Sequence, residues 1–266
     1  MKKDTQARLA EEFRRRHQRK PLLLLANAWD PISAAIVEAA GYEAVATTSG
    51  GVAWAIGYRD GEETPWREVV AATARIARAV RLPVTADIEA GYGDTPAQVA
   101  QSVRDIIAAG AVGLNLEDGT HDATIPMRGI DESAARIRAA REAAQAEGVP
   151  IVINARIDLY LKKIGTEATR FAETVQRGKA YLAAGADCLY PFALADLGVA
   201  AELVRALGAP INLVGRPGTP PVADLEAAGV ARVSVAAGLT LAAMGRPGAW
   251  SRSCGRAAAS TYLHPA

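Results

Sequence analysis

Two acids at a spacing of two, Asp87 and Glu89, close the apolar run Leu82-Pro83-Val84-Thr85-Ala86 and precede Gly91-Tyr92-Gly93. On a strand, residues i and i+2 point the same way, so both carboxylates would face one pocket. The glycines let the backbone turn sharply and come close to something small. Acids left unpaired at the end of an apolar strand carry a large desolvation cost. A hard divalent cation such as Mg2+, which takes oxygen ligands and keeps several waters, removes that cost. The bland alternative is an acidic strand end open to solvent.

Comparable polar groups close other apolar runs: Asn27-Ala28-Trp29-Asp30, Thr47-Thr48-Ser49-Gly50-Gly51, Asn115-Leu116-Glu117-Asp118 and Asn154-Ala155-Arg156-Ile157-Asp158. Asp87, Glu89 and Glu117 are the candidate metal ligands, with Asp60 in a loop as a further one. The Ser49-Gly50-Gly51 turn offers backbone N–H groups to a carboxylate. Arg156 is a planar cation able to grip an anionic oxygen with two hydrogen bonds. Cation, N–H nest and arginine together suit a small acid bearing a neighbouring oxo group, whose enolate is stabilised as a bond to the next carbon breaks. Gly215-Arg216-Pro217-Gly218 partly fits a phosphate-binding turn, which keeps phosphate binding open. In the segment from Gly119 to Gly129, His121 is the one side chain of near-neutral intrinsic pKa, a candidate proton donor or acceptor if that loop closes. A solvated surface histidine is the alternative. His17 and His264, in terminal segments, receive no role, and Trp29 and Tyr92 either wall the pocket or simply pack.

The elements that must position these groups follow from periodicity. Strands are expected near Leu22–Ala28, Ala44–Thr48, Pro83–Glu89, Val112–Asp118, Ile151–Ile157, Cys188–Phe192, Ile211–Gly215 and Arg232–Ala236. Amphipathic helices alternate with them over Pro31–Ala40, Trp66–Val80, Pro96–Ala109, Glu132–Ala146, Arg170–Ala184 and Leu197–Leu207. Eight strands alternating with helices over 266 residues is the rhythm of a (β/α)8 TIM barrel, with a doubly wound open sheet as the alternative. The acids, the Ser-Gly turn and Arg156 would then share the C-terminal rim of the barrel, where such folds build their sites. Residues 1–266 are expected to form a single domain with a short N-terminal helix and a C-terminal tail.

Composition narrows the partners. Half the residues are hydrophobic, 22% are charged and the formal net charge is +1, which gives no strong pull toward nucleic acid or an anionic membrane. Arg14-Arg15-Arg16 and Arg19-Lys20 read as a solvated helix face. No apolar run approaches the roughly 20 residues of a membrane span, and the charged N-terminus lacks the apolar core of a signal peptide. Two unclustered cysteines, Cys188 and Cys254, suggest neither a zinc site nor a disulfide framework and fit a reducing cytoplasm.

The ordered series Asn27-Ala28-Trp29-Asp30, Thr48-Ser49-Gly50-Gly51, Gly57-Tyr58-Arg59-Asp60, Asp87 to Gly93, Asn115-Leu116-Glu117-Asp118 and Asn154-Ala155-Arg156 resembles the isocitrate lyase/phosphoenolpyruvate mutase superfamily, in its phosphonomutase-like subgroup. The resemblance spans residues from about 20 to 245. It implies a (β/α)8 barrel, Mg2+ or Mn2+, and substrates that become or resemble enolpyruvate. It implies that Asp87 lies nearest the metal, with Asp60, Glu89 and Glu117 reaching it through water. It implies that Ser49 and Gly50 bind the substrate carboxylate and Arg156 its oxygens. Thr48, Asp60 and Asn154 are further candidate substrate-binding residues, Asn154 from behind the rim, and Arg156 and His121 are the candidate catalytic ones. It further implies a homo-oligomer, a dimer or a tetramer made by exchange of the last barrel helix.

Three departures limit the carry-over. Glu89 stands where many members have Asp. The segment from Gly119 to Gly129 has no Lys or Cys, whereas the lyases of isocitrate and methylisocitrate carry a Lys-Lys-Cys-Gly-His segment and the mutases a Lys and an Asn. Phe192 stands near where mutases have a His. The expected activity is therefore a Mg2+-dependent lyase or decarboxylase cleaving a C–C bond of a small 2-hydroxy or 2-oxo acid. The alternatives are a phosphonomutase or phosphonopyruvate hydrolase acting on a C–P bond, and a non-catalytic oxo-acid-binding barrel.

Overall fold

The computed structural model describes residues 2–18, 20–122 and 124–245; the expected C-terminal tail, with Cys254 and His264, lies outside them. In chain order the elements are α1 (Lys3–Arg16), β1 (Leu23–Ala28), α2 (Pro31–Ala39), β2 (Val45–Thr47), α3 (Ser49–Ala55), α4 (Trp66–Ala79), β3 (Val84–Asp87), α5 (Pro96–Ala108), β4 (Gly113–Glu117), α6 (Ile130–Ala146), β5 (Val152–Ile157), α7 (Glu167–Ala183), β6 (Cys188–Pro191), α8 (Leu197–Leu207), β7 (Asn212–Val214), α9 (Val222–Ala227), β8 (Arg232–Ser234) and α10 (Gly238–Ala243).

The eight strands run in the order β6-β5-β4-β3-β2-β1-β8-β7, every pairing parallel. A parallel bridge between Leu189 and Ile211 brings the two ends together, so the sheet is a nearly closed (β/α)8 barrel and not the open alternative. Alternation along the strands sorts the side chains. Ile153, Ala155 and Ile157 of β5 are buried in the apolar cluster shared with α5 and α6, while Asn154 and Arg156 take the other face. Register then stacks the polar face. Asp87 pairs with Asn115, Asn115 with Asn154, and one layer higher Glu117 pairs with Arg156 and Arg156 with Tyr190.

Helix starts were locally encoded. Asp30 before Pro31 and Thr95 before Pro96 each form a capping box, with Ser33 and Gln98 reaching back. α3 differs from expectation. The Ser49-Gly50-Gly51 segment is not a free turn but the first turn of a helix, with Thr48 as N-cap accepting the Gly51 N–H at 3.5 Å.

The N-terminal helix closes the base of the barrel. Gln6 Nε2 donates to the Ile107 and Ala111 carbonyls at 2.7 and 2.9 Å, ending α5 in place of water. Phe13 is fully buried against strand β4, where a Cβ on Gly113 would lie 2.8 Å from its ring. The arginine run is not the solvated face expected: Arg14 pairs with Asp187 at 3.0 Å and donates to Ile151 O at 3.1 Å, and Arg16 pairs with Glu12 and Glu43. Only Arg15 of the three stays exposed. His17 is buried as well, its Nδ1 bonded to Phe13 O at 2.8 Å. Burial first, then the charge of Arg232, lowers its pKa to about 3.

Candidate active site

Asp87 ends β3 at the C-terminal rim, partly buried, and its N–H donates to Thr47 Oγ1 at 2.8 Å. Burial raises its pKa; the nearby Arg156 opposes this and Asp60 adds to it. Among the candidate metal ligands, Asp87 and Asp60 form no ion pair with a described residue.

Glu117 is turned to Arg156, with 2.7 Å between Oε2 and Nη1. Burial pushes its pKa well up even though Arg156 stabilises the carboxylate. Glu89 is turned to the loop before α4: Oε2 accepts the Glu62 N–H at 2.8 Å and Oε1 accepts the Tyr92 hydroxyl at 2.8 Å. Its pKa rises to about 8, from burial first and then the charge of Asp87. Asp60 is exposed, and its Oδ2 lies 3.1 Å from where a side chain on Gly50 would begin, so Gly50 makes room for it. A Cβ on Gly51 would sit 2.5 Å from Thr48 and 2.6 Å from Thr240, which leaves glycine the only residue that packs there.

Arg156 is fixed from three sides. Asp158 accepts two hydrogen bonds from Nε and Nη2, Glu117 takes Nη1, and the Phe192 ring lies 4.0 Å from the guanidinium carbon. Burial disfavours its charge, but Glu117 and Asp158 outweigh that and raise its pKa above the ordinary arginine value. Behind this layer Asn154 donates to Asn115 Oδ1 at 2.8 Å, consistent with a support role beneath the rim. Asp118 belongs to a separate buried network with Arg177 and Tyr181, its carboxyl raised to about 6 by burial.

The lid segment is folded onto the barrel. Gly119 bridges Met127, Lys162 Nζ donates to Thr120 O at 2.9 Å, and Arg128 donates to Gly119 O. His121 is exposed, with its ring 3.3 Å from where a Cβ on Gly61 would stand, so the lid touches the loop that carries Asp60.

The structure brings Asp87, Glu117, Arg156, Thr48, Ser49, Gly50 and Asp60 to one rim and places Asn154 below it. It places His121 on the lid against Gly61 and turns Glu89 into the loop before α4. Among the described residues no three His, Cys, Asp or Glu side chains form a direct metal-ligand cluster. A rim carboxylate without an ion-pair partner, Asp87, beside like-charged neighbours fits a cation such as Mg2+, which holds several waters and takes one or two carboxylates. Sequence reasoning missed the roles of Asp158, Glu62 and Arg136. Asp158 had a usable signal, its spacing of two from Arg156 on a strand. Arg136 of α6 donates to Ala90 O at 2.6 Å, Gly93 O at 2.7 Å and Asp94 O at 3.2 Å, pairings across more than 40 residues that no local pattern reveals.

Acids, an arginine and a helix start are gathered at the C-terminal rim of the barrel, where folds of this class build their active sites. A family model described as phosphoenolpyruvate phosphomutase matches residues 13–253, and the chain belongs to that family, within the isocitrate lyase/phosphoenolpyruvate mutase superfamily of lyases and mutases. It is 35% identical over 218 residues to an uncharacterized protein of Mycobacterium tuberculosis, covering 82% of this chain and 78% of the relative. Over 185 residues it is 32% identical to 2-methylisocitrate lyase of Escherichia coli, covering 67% of this chain and 60% of that enzyme. Oxaloacetate decarboxylase 2 of Pseudomonas putida is 30% identical, with 79% of this chain and 68% of the relative covered. A solved structure from Burkholderia cenocepacia, provisionally called a phosphonomutase, superposes with a TM-score of 0.87 at 41% identity over 91% of this chain and 98% of that one.

Proposed function

We propose that this protein is a Mg2+- or Mn2+-dependent lyase or decarboxylase that cleaves a C–C bond of a small 2-hydroxy or 2-oxo acid through an enolpyruvate-like intermediate. The observation that carries the reading is Arg156, held rigid by Asp158, Glu117 and Phe192 near the carboxylate of Asp87, which accepts backbone N–H groups but forms no ion pair with a described residue. The start of α3, at Ser49 and Gly50, receives the substrate carboxylate, since a helix start presents N–H groups to an anion; without substrate the Ser49 N–H bonds to the Asp87 carboxylate. Bound at Asp87, with Asp60, Glu89 and Glu117 reaching it through water, the divalent ion would supply positive charge where the oxo oxygen gains electrons. Arg156 grips that oxygen from the other side, and its rigid fork needs no reorganisation as the charge grows. In a decarboxylation the electrons of the breaking bond pass to the oxo oxygen, carbon dioxide leaves, and the next carbon takes a proton. In a hydroxy-acid cleavage a base removes the hydroxyl proton, the oxygen's electrons form the new C=O as the adjacent C–C bond breaks, and the departing carbon keeps that bond's electrons and takes a proton. His121, on the segment from Gly119 to Gly129, is the group assigned to protonating that carbon.

Phe192 favours C–C over C–P chemistry, because its ring lies against Arg156 and offers no hydrogen bond to a phosphoryl oxygen. The 2-methylisocitrate lyase and oxaloacetate decarboxylase relatives support the same choice. A homo-oligomer is part of the proposal, supported by Ile32 and Ile36, which lie one turn apart on α2 and are 72% and 63% exposed. So is cytoplasmic residence, supported by the buried free thiol of Cys188; no helix among the described residues is long and apolar enough to cross a membrane. Calorimetric titration with oxalate, a planar mimic of enolpyruvate, tests the site. Binding that requires Mg2+ or Mn2+ is expected, and binding indifferent to metal would overturn the assignment.

A further inference from the structure

Of the six non-glycine residues with positive φ among the described residues, three lie around the rim loop and the β3 turn: Glu62 at φ 61°, Glu89 at φ 49° and Tyr92 at φ 51°. Such conformations cost about 1–3 kcal/mol each and persist only where surrounding contacts enforce them. These same three residues are bonded to one another. The Glu62 N–H donates to Glu89 Oε2 at 2.8 Å, the Tyr92 N–H donates to Glu62 Oε1 at 2.7 Å, and the Tyr92 hydroxyl donates to Glu89 Oε1 at 2.8 Å. Arg136 holds the turn through the carbonyls of Ala90, Gly93 and Asp94, and the Tyr92 N–H donates separately to Glu62. The loop before α4 is therefore fastened to the β3 turn by a reciprocal pair of bonds at Glu62. Two residues earlier the same loop places Asp60 against Gly50, and its Gly61 carries the ring of His121.

We propose that Glu62 is a positioning residue, whose paired bonds with Glu89 and Tyr92 fasten the loop from Gly57 to Thr64 across the rim and thereby set Asp60 against the start of α3. Glu89 serves this clamp with both carboxylate oxygens, and its side chain spans from the β3 turn to the loop. Glu62 acts through Asp60 and does not itself touch substrate.

The test has two arms on the whole protein, of which only the second rests on the proposed function. Amide hydrogen exchange is followed by mass spectrometry in wild type, Glu62→Ala and Glu62→Gln. Glu62→Ala should speed exchange in the segments around residues 57–64 and 90–94 by about tenfold, the scale of one lost hydrogen bond. Glu62→Gln, whose carbonyl oxygen still accepts the Tyr92 N–H, should stay within about threefold of wild type. In the second arm oxalate affinity with Mg2+ should fall about tenfold in Glu62→Ala and recover in Glu62→Gln. Unchanged exchange in both segments of Glu62→Ala overturns the clamp. Faster exchange with unchanged oxalate affinity overturns its role in setting Asp60. A wild type that binds no oxalate defeats the functional reading while the exchange arm still decides the clamp.

Discussion

Asp158 grips Arg156 at two points, 2.7 Å to Nε and 3.1 Å to Nη2, from the first residue beyond the end of β5. The spacing of two matters because it returns the carboxylate to the side of the chain that carries the guanidinium. Asp158 is itself held by its N–H, which donates to Asp118 Oδ1 at 3.0 Å. The orientation of Arg156 is thus set by a chain of buried contacts and not by the substrate.

Replacing Arg156 by Lys keeps the charge and loses the fork. Arg156→Lys should cost about 2–4 kcal/mol in kcat/KM, the scale of a lost oxyanion donor. Asp158→Asn should lower kcat more than it raises KM, because the arginine remains but its aim loosens. Steady-state kinetics on an identified substrate check both, and unchanged kcat/KM in Arg156→Lys would remove its assigned role.

Asp87 and Glu89 should separate in their effects on metal. Asp87→Ala should abolish Mg2+-dependent oxalate binding, because no other rim carboxylate is free of a committed partner and deep enough to replace it. Glu89→Gln should only weaken binding, since its carboxylate already serves Glu62 and Tyr92. Calorimetry of the two variants side by side gives the answer.

Burial, then the Asp87 charge, keeps the Glu89 carboxyl protonated up to about pH 8, whereas an unfolded chain ionises it near 4.5. Between these values the folded protein holds the additional proton, so this group makes the metal-free protein less stable as pH rises from about 4.5 to about 8. Divalent metal favours the ionised carboxylate, so Mg2+ affinity should rise with pH and level off above about 8. Unfolding midpoints from pH 5 to 9 in EDTA, and Mg2+ titrations over the same range, check the sign. Glu89→Gln should flatten both slopes.

The legible part of this molecule was whatever local chemistry encodes. Asp30-Pro31 and Thr95-Pro96 announced helix starts, and alternation in Asn154-Ala155-Arg156-Ile157 announced a strand with one polar face. Acids and an arginine at successive strand ends then located the rim, because a parallel barrel puts all such ends together. What stayed hidden depends on contacts between distant segments. Nothing near Glu89 shows that Glu62 will occupy its oxygen, and nothing near Arg136 shows a turn waiting for its guanidinium. Arg14 looked solvated, and His17 received no role, because the sequence does not reveal that α1 packs across the barrel base. The Ser49-Gly50-Gly51 segment read as a turn because two glycines weigh against helix; the Thr48 cap and the lack of room around Gly51 override that preference.

His121 is assigned the proton because it is the lid group of suitable chemistry, and its ring already packs on the loop that carries Asp60. His121→Asn should lower kcat by about 10²–10⁴-fold, the usual scale of general acid–base catalysis, with oxalate affinity nearly intact. Full turnover in that variant would hand the proton to solvent and favour simple decarboxylation over hydroxy-acid cleavage.

Initial-rate formation of pyruvate from oxaloacetate and from 2-alkylmalates, with phosphonopyruvate in parallel and with Mg2+ or EDTA present, tests carbon–carbon cleavage most directly. Pyruvate release from at least one of the carbon substrates, dependent on metal and lost in Arg156→Lys, is the expected result, with phosphonopyruvate left intact. Turnover of phosphonopyruvate alone, or metal-dependent oxalate binding with no turnover of any of them, would contradict it.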